Sequence, residues 1–109
     1  MRGEGIQPNY RDQVRIFKAL CDERRVEIIS LLRGGERYAC VRLQQMAISQ
    51  PTLSYHMKIL CESGMVTGRQ EGKWTHYRLS RDGAQRVIEM LESLMTETET
   101  PAPVGGERC

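Results

Sequence analysis

The stretch Val41-Arg-Leu-Gln-Gln-Met-Ala-Ile-Ser-Gln-Pro-Thr-Leu-Ser-Tyr-His-Met-Lys-Ile-Leu60 decides the reading of this chain. Ala47-Ile48 separates two apolar-periodic segments. Ser49 stands where an N-cap belongs, with Pro51 in the first turn, where a missing N–H is harmless. A short helix over residues 38–46 is predicted, then a tight turn, then a helix capped by Ser49 that runs to about residue 62 and stops at Ser63-Gly64. Two short helices joined in this way are a helix-turn-helix candidate.

Upstream, Tyr10, Val14, Phe17 and Leu20 recur at three- and four-residue steps and mark one stripe of a first helix. Asp22 reads as the N-cap of a second helix with Val26, Ile29 and Leu32 on its apolar face, closed by Gly34-Gly35. Downstream, residues 66–69 and 74–79 are β-prone runs around Glu71-Gly72, a pair suited to a hairpin turn. Ser80 caps a last helix with Val87, Ile88, Leu91, Leu94 and Met95 on its apolar side. The expected fold is mainly α with one small β-hairpin: a helix-turn-helix followed by a wing. Residues 1–8 read as a flexible lead-in, 9–95 as the domain, and 96–109, ending in Cys109, as a flexible tail.

At 109 residues the chain has room for one core, and 39% hydrophobic against 28% charged residues with a mean hydropathy of −0.50 suits a globular chain. No apolar run approaches the ~18 residues of a membrane span, and the N-terminus lacks a signal-peptide core, so a cytoplasmic protein is expected. Net charge is only +2, but Glu97 onward carries three Glu against one Arg, which leaves the rest at +4. The folded part is therefore mildly basic. The four Cys, at 21, 40, 61 and 109, form no CxxC pair, and standing disulfides are not expected in this compartment.

The second helix of the candidate motif presents Gln50, Thr52, Ser54, Tyr55, His56 and Lys58 around the apolar Leu53, Met57 and Leu60. Gln and hydroxyl side chains can bond base edges in a DNA major groove, while hydroxyls and Lys near the helix start can hold phosphates. The hairpin adds Arg69, Lys73, His76 and Arg78. A basic ribbon beside a recognition helix can reach neighbouring phosphates or the minor groove. No Ser/His/Asp or paired-carboxylate pattern sits in a plausible pocket, and both His fall on these elements, so an enzyme is rejected.

Three ordered blocks, Phe17-Lys-Ala-Leu-Cys-Asp-Glu-Arg-Arg, Ser49-Gln-Pro-Thr-Leu-Ser-Tyr-His-Met-Lys-Ile-Leu and Gly72-Lys-Trp-Thr-His-Tyr-Arg-Leu, resemble the ArsR/SmtB family of metal-responsive repressors across most of the chain. The resemblance implies a winged helix-turn-helix homodimer, paired through its first and last helices, that binds a palindromic operator near its own promoter and leaves it when an inducer binds.

The family's zinc-type site uses Asp, His and Glu on the last helix, which here has no His, so zinc or cobalt is not expected there. Its arsenic-type pattern, Glu-Leu-Cys-x-Cys at the start of the third helix, is matched by Glu36-Arg-Tyr-Ala-Cys: Cys40 keeps the second thiol and Tyr38 replaces the first. The resemblance therefore implies a trivalent arsenical or antimonite as inducer, held by Cys40 and a thiol from elsewhere. Cys109 is the leading partner, because ~13 tail residues extend about 40 Å. Cys40 is expected near a helix start, where the dipole favours the anionic thiol. Cys21 and Cys61 are lesser candidates that read first as packing. Two alternatives stay open: a thiol-redox or sulfide sensor switched by a Cys40–Cys109 bridge, and a DNA-binding module whose thiols are all structural.

Overall fold

A computed structural model describes residues 9–98; the lead-in 1–8 and residues 99–109, with Cys109, lie outside the described residues. Five helices and one hairpin follow in the order α1 (Tyr10–Leu20), α2 (Glu23–Leu32), α3 (Glu36–Gln44), α4 (Gln50–Glu62), β1 (Val66–Glu71), β2 (Trp74–Leu79) and α5 (Arg81–Met95). This is the winged helix-turn-helix expected, with α3 and α4 as its helices and the hairpin as its wing.

Local chemistry sets most boundaries. The side chains of Asn9, Asp22, Ser49 and Ser80 each accept from backbone N–H groups in the first turn of the helix they precede. Helix α3 is the exception. Gly35 precedes it with no side-chain cap, and it begins and ends two residues earlier than the predicted 38–46. Strand β1 also runs on to Glu71, which pairs with Trp74, so the turn is Gly72-Lys73 with Gly72 at φ +63°, a conformation that favours glycine.

Ile28 and Leu32 of α2, Ala39 and Leu43 of α3, Met57 and Leu60 of α4, Ala19, Met65 and Val66 form the core. Leu60 is fully enclosed, and truncating such a residue to Ala costs about 2–5 kcal/mol. The inward face of α2 is Arg25, Ile28 and Leu32, whereas Val26, expected inside, is half exposed. Its face is set by the neighbours α2 packs against, and these turn it one position from the apolar stripe. The base of the wing is closed where the Ser80 N–H, just after β2, donates to the Met65 carbonyl, just before β1, at 2.8 Å. At Gly83 a Cβ would lie 1.8 Å from the Gly64 carbonyl oxygen, so only glycine lets α5 start against that loop.

Helices α1 and α5 leave apolar side chains uncovered: Tyr10, Val14 and Phe17 on one, Ile88, Leu91, Leu94 and Met95 on the other. No helix among the described residues is long and apolar enough to cross a membrane.

Candidate nucleic-acid interface and thiol groove

Helix α4 separates its side chains cleanly. Gln50, Thr52, Ser54, Tyr55 and Lys58 are exposed, while Met57 and Leu60 are buried and Leu53 half-buried. The Ser49 hydroxyl accepts from the Thr52 N–H at 3.3 Å and donates to the Thr52 hydroxyl at 2.9 Å, so that hydroxyl is partly committed to the cap. Gln50, Ser54 and Lys58 lie one turn apart on a single outward stripe, the arrangement a groove-reading helix requires.

His56 corrects the sequence reading. It is only 7% exposed, and its Nδ1 lies 2.9 Å from Nη1 of Arg25, a buried residue of α2. A guanidinium only donates, so Nδ1 accepts and the ring faces the interior, away from any groove. At 3.6 residues per turn, position 56 falls on the same side as Leu53 and Leu60. Arg25 itself was missed, although its spacing to Ile28 and Leu32 places it on their stripe. Its other donors reach the carbonyls of Ala19 (2.9 Å) and Lys18 (3.2 Å). Asp22 Oδ2 stands 4.0 Å away. Desolvation works against the Asp22 charge, but the amides of Arg25 and Arg24, and then the Arg25 charge, outweigh it and hold the carboxyl below its usual range.

On the wing, the register sets Arg69 opposite His76 and Thr67 opposite Arg78, so Arg69, His76 and Arg78 share one face. Arg69 is held by two carboxylates, and His76 Nε2 lies 3.2 Å from Glu71. Lys73, in the turn, and Arg78 are exposed. Trp74, beside Lys73, is 61% exposed, which composition and periodicity did not single out.

The thiols are dispersed. Cys21 is exposed at the end of α1, and Cys61 is half-buried, its pKa raised by burial and then by Glu62. Cys40 is half-buried and is the fifth residue of α3, because that helix starts at Glu36. It thus lies past the first turn, to which the dipole effect expected for it is confined. Among the described residues no three His, Cys, Asp or Glu side chains gather to hold a metal ion. Cys40 does open on a groove of about 260 Å³ between α3, the start of α4 and the wing, with Leu43, Leu53, Trp74 and Tyr77 as apolar walls and Gln50, Ser54 and Lys73 beside them.

Comparison with known proteins agrees with this architecture. The family model "Bacterial regulatory protein, arsR family" matches residues 22–67. The chain is 37% identical over 91 residues to an arsenical resistance operon repressor of Staphylococcus aureus, covering 84% of this chain and 88% of that protein. Among solved structures it is similar to an ArsR-like transcriptional regulator from Rhodococcus (25% identity, TM-score 0.63, 78% and 80% of the two chains). It is also similar to the homodimeric winged helix-turn-helix DNA-binding domain of a possible ArsR-family regulator from Mycobacterium bovis (27% identity, TM-score 0.56, 86% and 89%). With its capped α4, its wing and these relatives, the chain belongs to the arsR family of bacterial regulatory proteins, transcription regulators and not enzymes.

Proposed function

We propose that this regulator is a cytoplasmic repressor that binds a palindromic operator as a homodimer and is released when a trivalent arsenical or antimonite binds cysteine thiolates. Gln50 and Ser54 read base edges, and Lys58, Lys73 and Arg78 hold phosphates, with Thr52 and Tyr55 beside them on the exposed surface of α4. Cys40 supplies the first thiolate to the inducer and Cys109 the second.

The observation that carries the reading is the shared groove: Cys40 opens on the same cavity as Gln50, Ser54 and Lys73. An inducer bound to Cys40 therefore lies against side chains that DNA needs. Support for the dimer comes from the uncovered apolar faces of α1 and α5, since apolar area left in water favours association at ~25 cal/mol per Å². Support for the inducer class comes from relatives named as arsenical resistance operon repressors.

The test uses a labelled duplex from upstream of the chain's own coding sequence, titrated in parallel with arsenite, a methylated trivalent arsenical, antimonite, zinc and persulfide. Trp74, the chain's one Trp, lines the groove, so its fluorescence, followed in the protein without DNA, reports occupancy separately from DNA release. Release by arsenicals or antimonite with a matching change in Trp74 emission is expected. Release by zinc alone, or by persulfide alone, would replace the inducer assignment.

A further inference from the structure

Arg25 and His56 are the buried polar side chains among the described residues, and the reading above uses neither. From the first turn of α2, the guanidinium of Arg25 bonds two other helices at once: the carbonyls of Lys18 and Ala19 in the last turn of α1, and His56 in the middle of α4. Carbonyls at a helix end lack intrahelical partners, so the bond to Ala19 satisfies such a group, while the Lys18 carbonyl also accepts from the Cys21 N–H at 3.1 Å. The bond to His56 joins residues on two helices and has no such local role.

We propose that the Arg25–His56 hydrogen bond is a positioning contact that fixes the rotation of α4 about its own axis and so aims Gln50 and Ser54. This rests on the DNA-binding reading of α4. The apolar contacts of Leu53, Met57 and Leu60 are non-directional and leave that rotation soft, whereas a bond from a planar guanidinium has a preferred distance and angle. A rotation of about 20° sweeps a side-chain tip at ~5–6 Å radius through about 2 Å, enough to break a hydrogen bond to a base. Because the same guanidinium holds the carbonyl end of α1, α4 is aimed relative to the helix whose apolar face the dimer would use. The contact thereby sets how the two recognition helices of a dimer stand to one another.

The test compares full-length wild type with His56→Leu, which removes the acceptor at similar volume, and His56→Asn, whose Oδ1 replaces Nδ1. The probes are a duplex that the wild type enriches from a random library and a scrambled duplex of equal length. Folding is checked by circular dichroism. His56→Leu should lose about tenfold in the ratio of specific to scrambled affinity, and His56→Asn should recover most of it. A folded Leu variant whose ratio stays within about twofold of wild type, or an Asn variant as defective as Leu, overturns the proposal. If His56→Leu does not fold, Arg25→Lys carries the same comparison, because an ammonium keeps the charge but cannot reproduce the fork. An unchanged ratio there overturns it too. Should the wild type enrich no sequence, the DNA reading falls and this inference with it; an enriching wild type with indifferent variants removes only the inference.

Discussion

Arg69 donates through Nη2 to the Glu36 carboxylate at 2.6 Å and through Nη1 to Glu71 at 3.2 Å, which ties the first strand of the wing to the first turn of the helix that carries Cys40. The Glu36 bond, and then the Glu71 bond, raise the Arg69 pKa further above its usual value. With two carboxylates on it, this guanidinium presents little net charge to a phosphate. If α4 and the wing bind DNA as proposed, their four basic positions are therefore unequal partners for its phosphates.

Salt dependence separates them. Lys58→Ala and Lys73→Ala should each flatten the slope of log affinity against log salt by about 0.9, the value for one lost phosphate contact. Arg69→Ala should flatten it distinctly less, and Glu36→Gln, which takes away one of the two carboxylate charges on Arg69, should tighten binding and steepen the slope. Fluorescence anisotropy on a labelled duplex over a range of salt decides this, and an Arg69→Ala slope equal to that of Lys73→Ala contradicts the ion-pair argument.

Assembly follows from the open apolar faces. Leu91 is 40% exposed on α5 between Ile88 and Leu94, so Leu91→Glu places a charge in the proposed dimer contact and should yield folded monomers with little operator affinity. Light scattering at micromolar protein reads the outcome. A wild type that is already monomeric there, yet binds operator fully, refutes the dimer.

Thiol substitutions test the groove. Cys40→Ser should bind operator normally and fail to release it, because a hydroxyl replaces the thiolate without touching the exposed stripe of α4. Cys109→Ser should weaken the response if the tail completes the ligand set, and Cys61→Ser, whose thiol burial keeps protonated, should respond like wild type. Mass spectrometry of the released protein should find bound metalloid. A reductant-reversible Cys40–Cys109 bridge in its place would favour redox sensing. Inducer response retained in Cys40→Ser moves the site to Cys21 or Cys61.

Acid stability reports on the Asp22 cap. Its folded pKa lies below the ordinary 3.8, so the stability supplied by the charged carboxylate is fully present above about pH 4 and is lost as pH falls through the folded value. Asp22→Asn keeps an oxygen for the cap but cannot ionise, and should show a flatter decline of the melting temperature in that window. An acid limb identical to wild type assigns the dependence to other carboxylates.

By itself the sequence determined the elements. Caps at Asp22, Ser49 and Ser80, Pro51 in a first turn and Gly72 at a hairpin tip act within three or four residues, so neighbours along the chain suffice to read them. It also placed Gln50, Ser54 and Lys58 among six polar positions of α4, but did not separate them from the buried His56. The uncapped start of α3 was displaced by two residues because no side chain marked it. Only the tertiary structure decided which polar groups are left for DNA. His56 turned inward to Arg25 across 31 residues of sequence, and Arg69 paired with Glu36 across 33. Both contacts exist because packing of the apolar faces brings distant helices and strands together; the buried Arg25 then takes the acceptor that packing sets within reach, while the exposed Arg69 meets Glu36 as an ion pair at the surface.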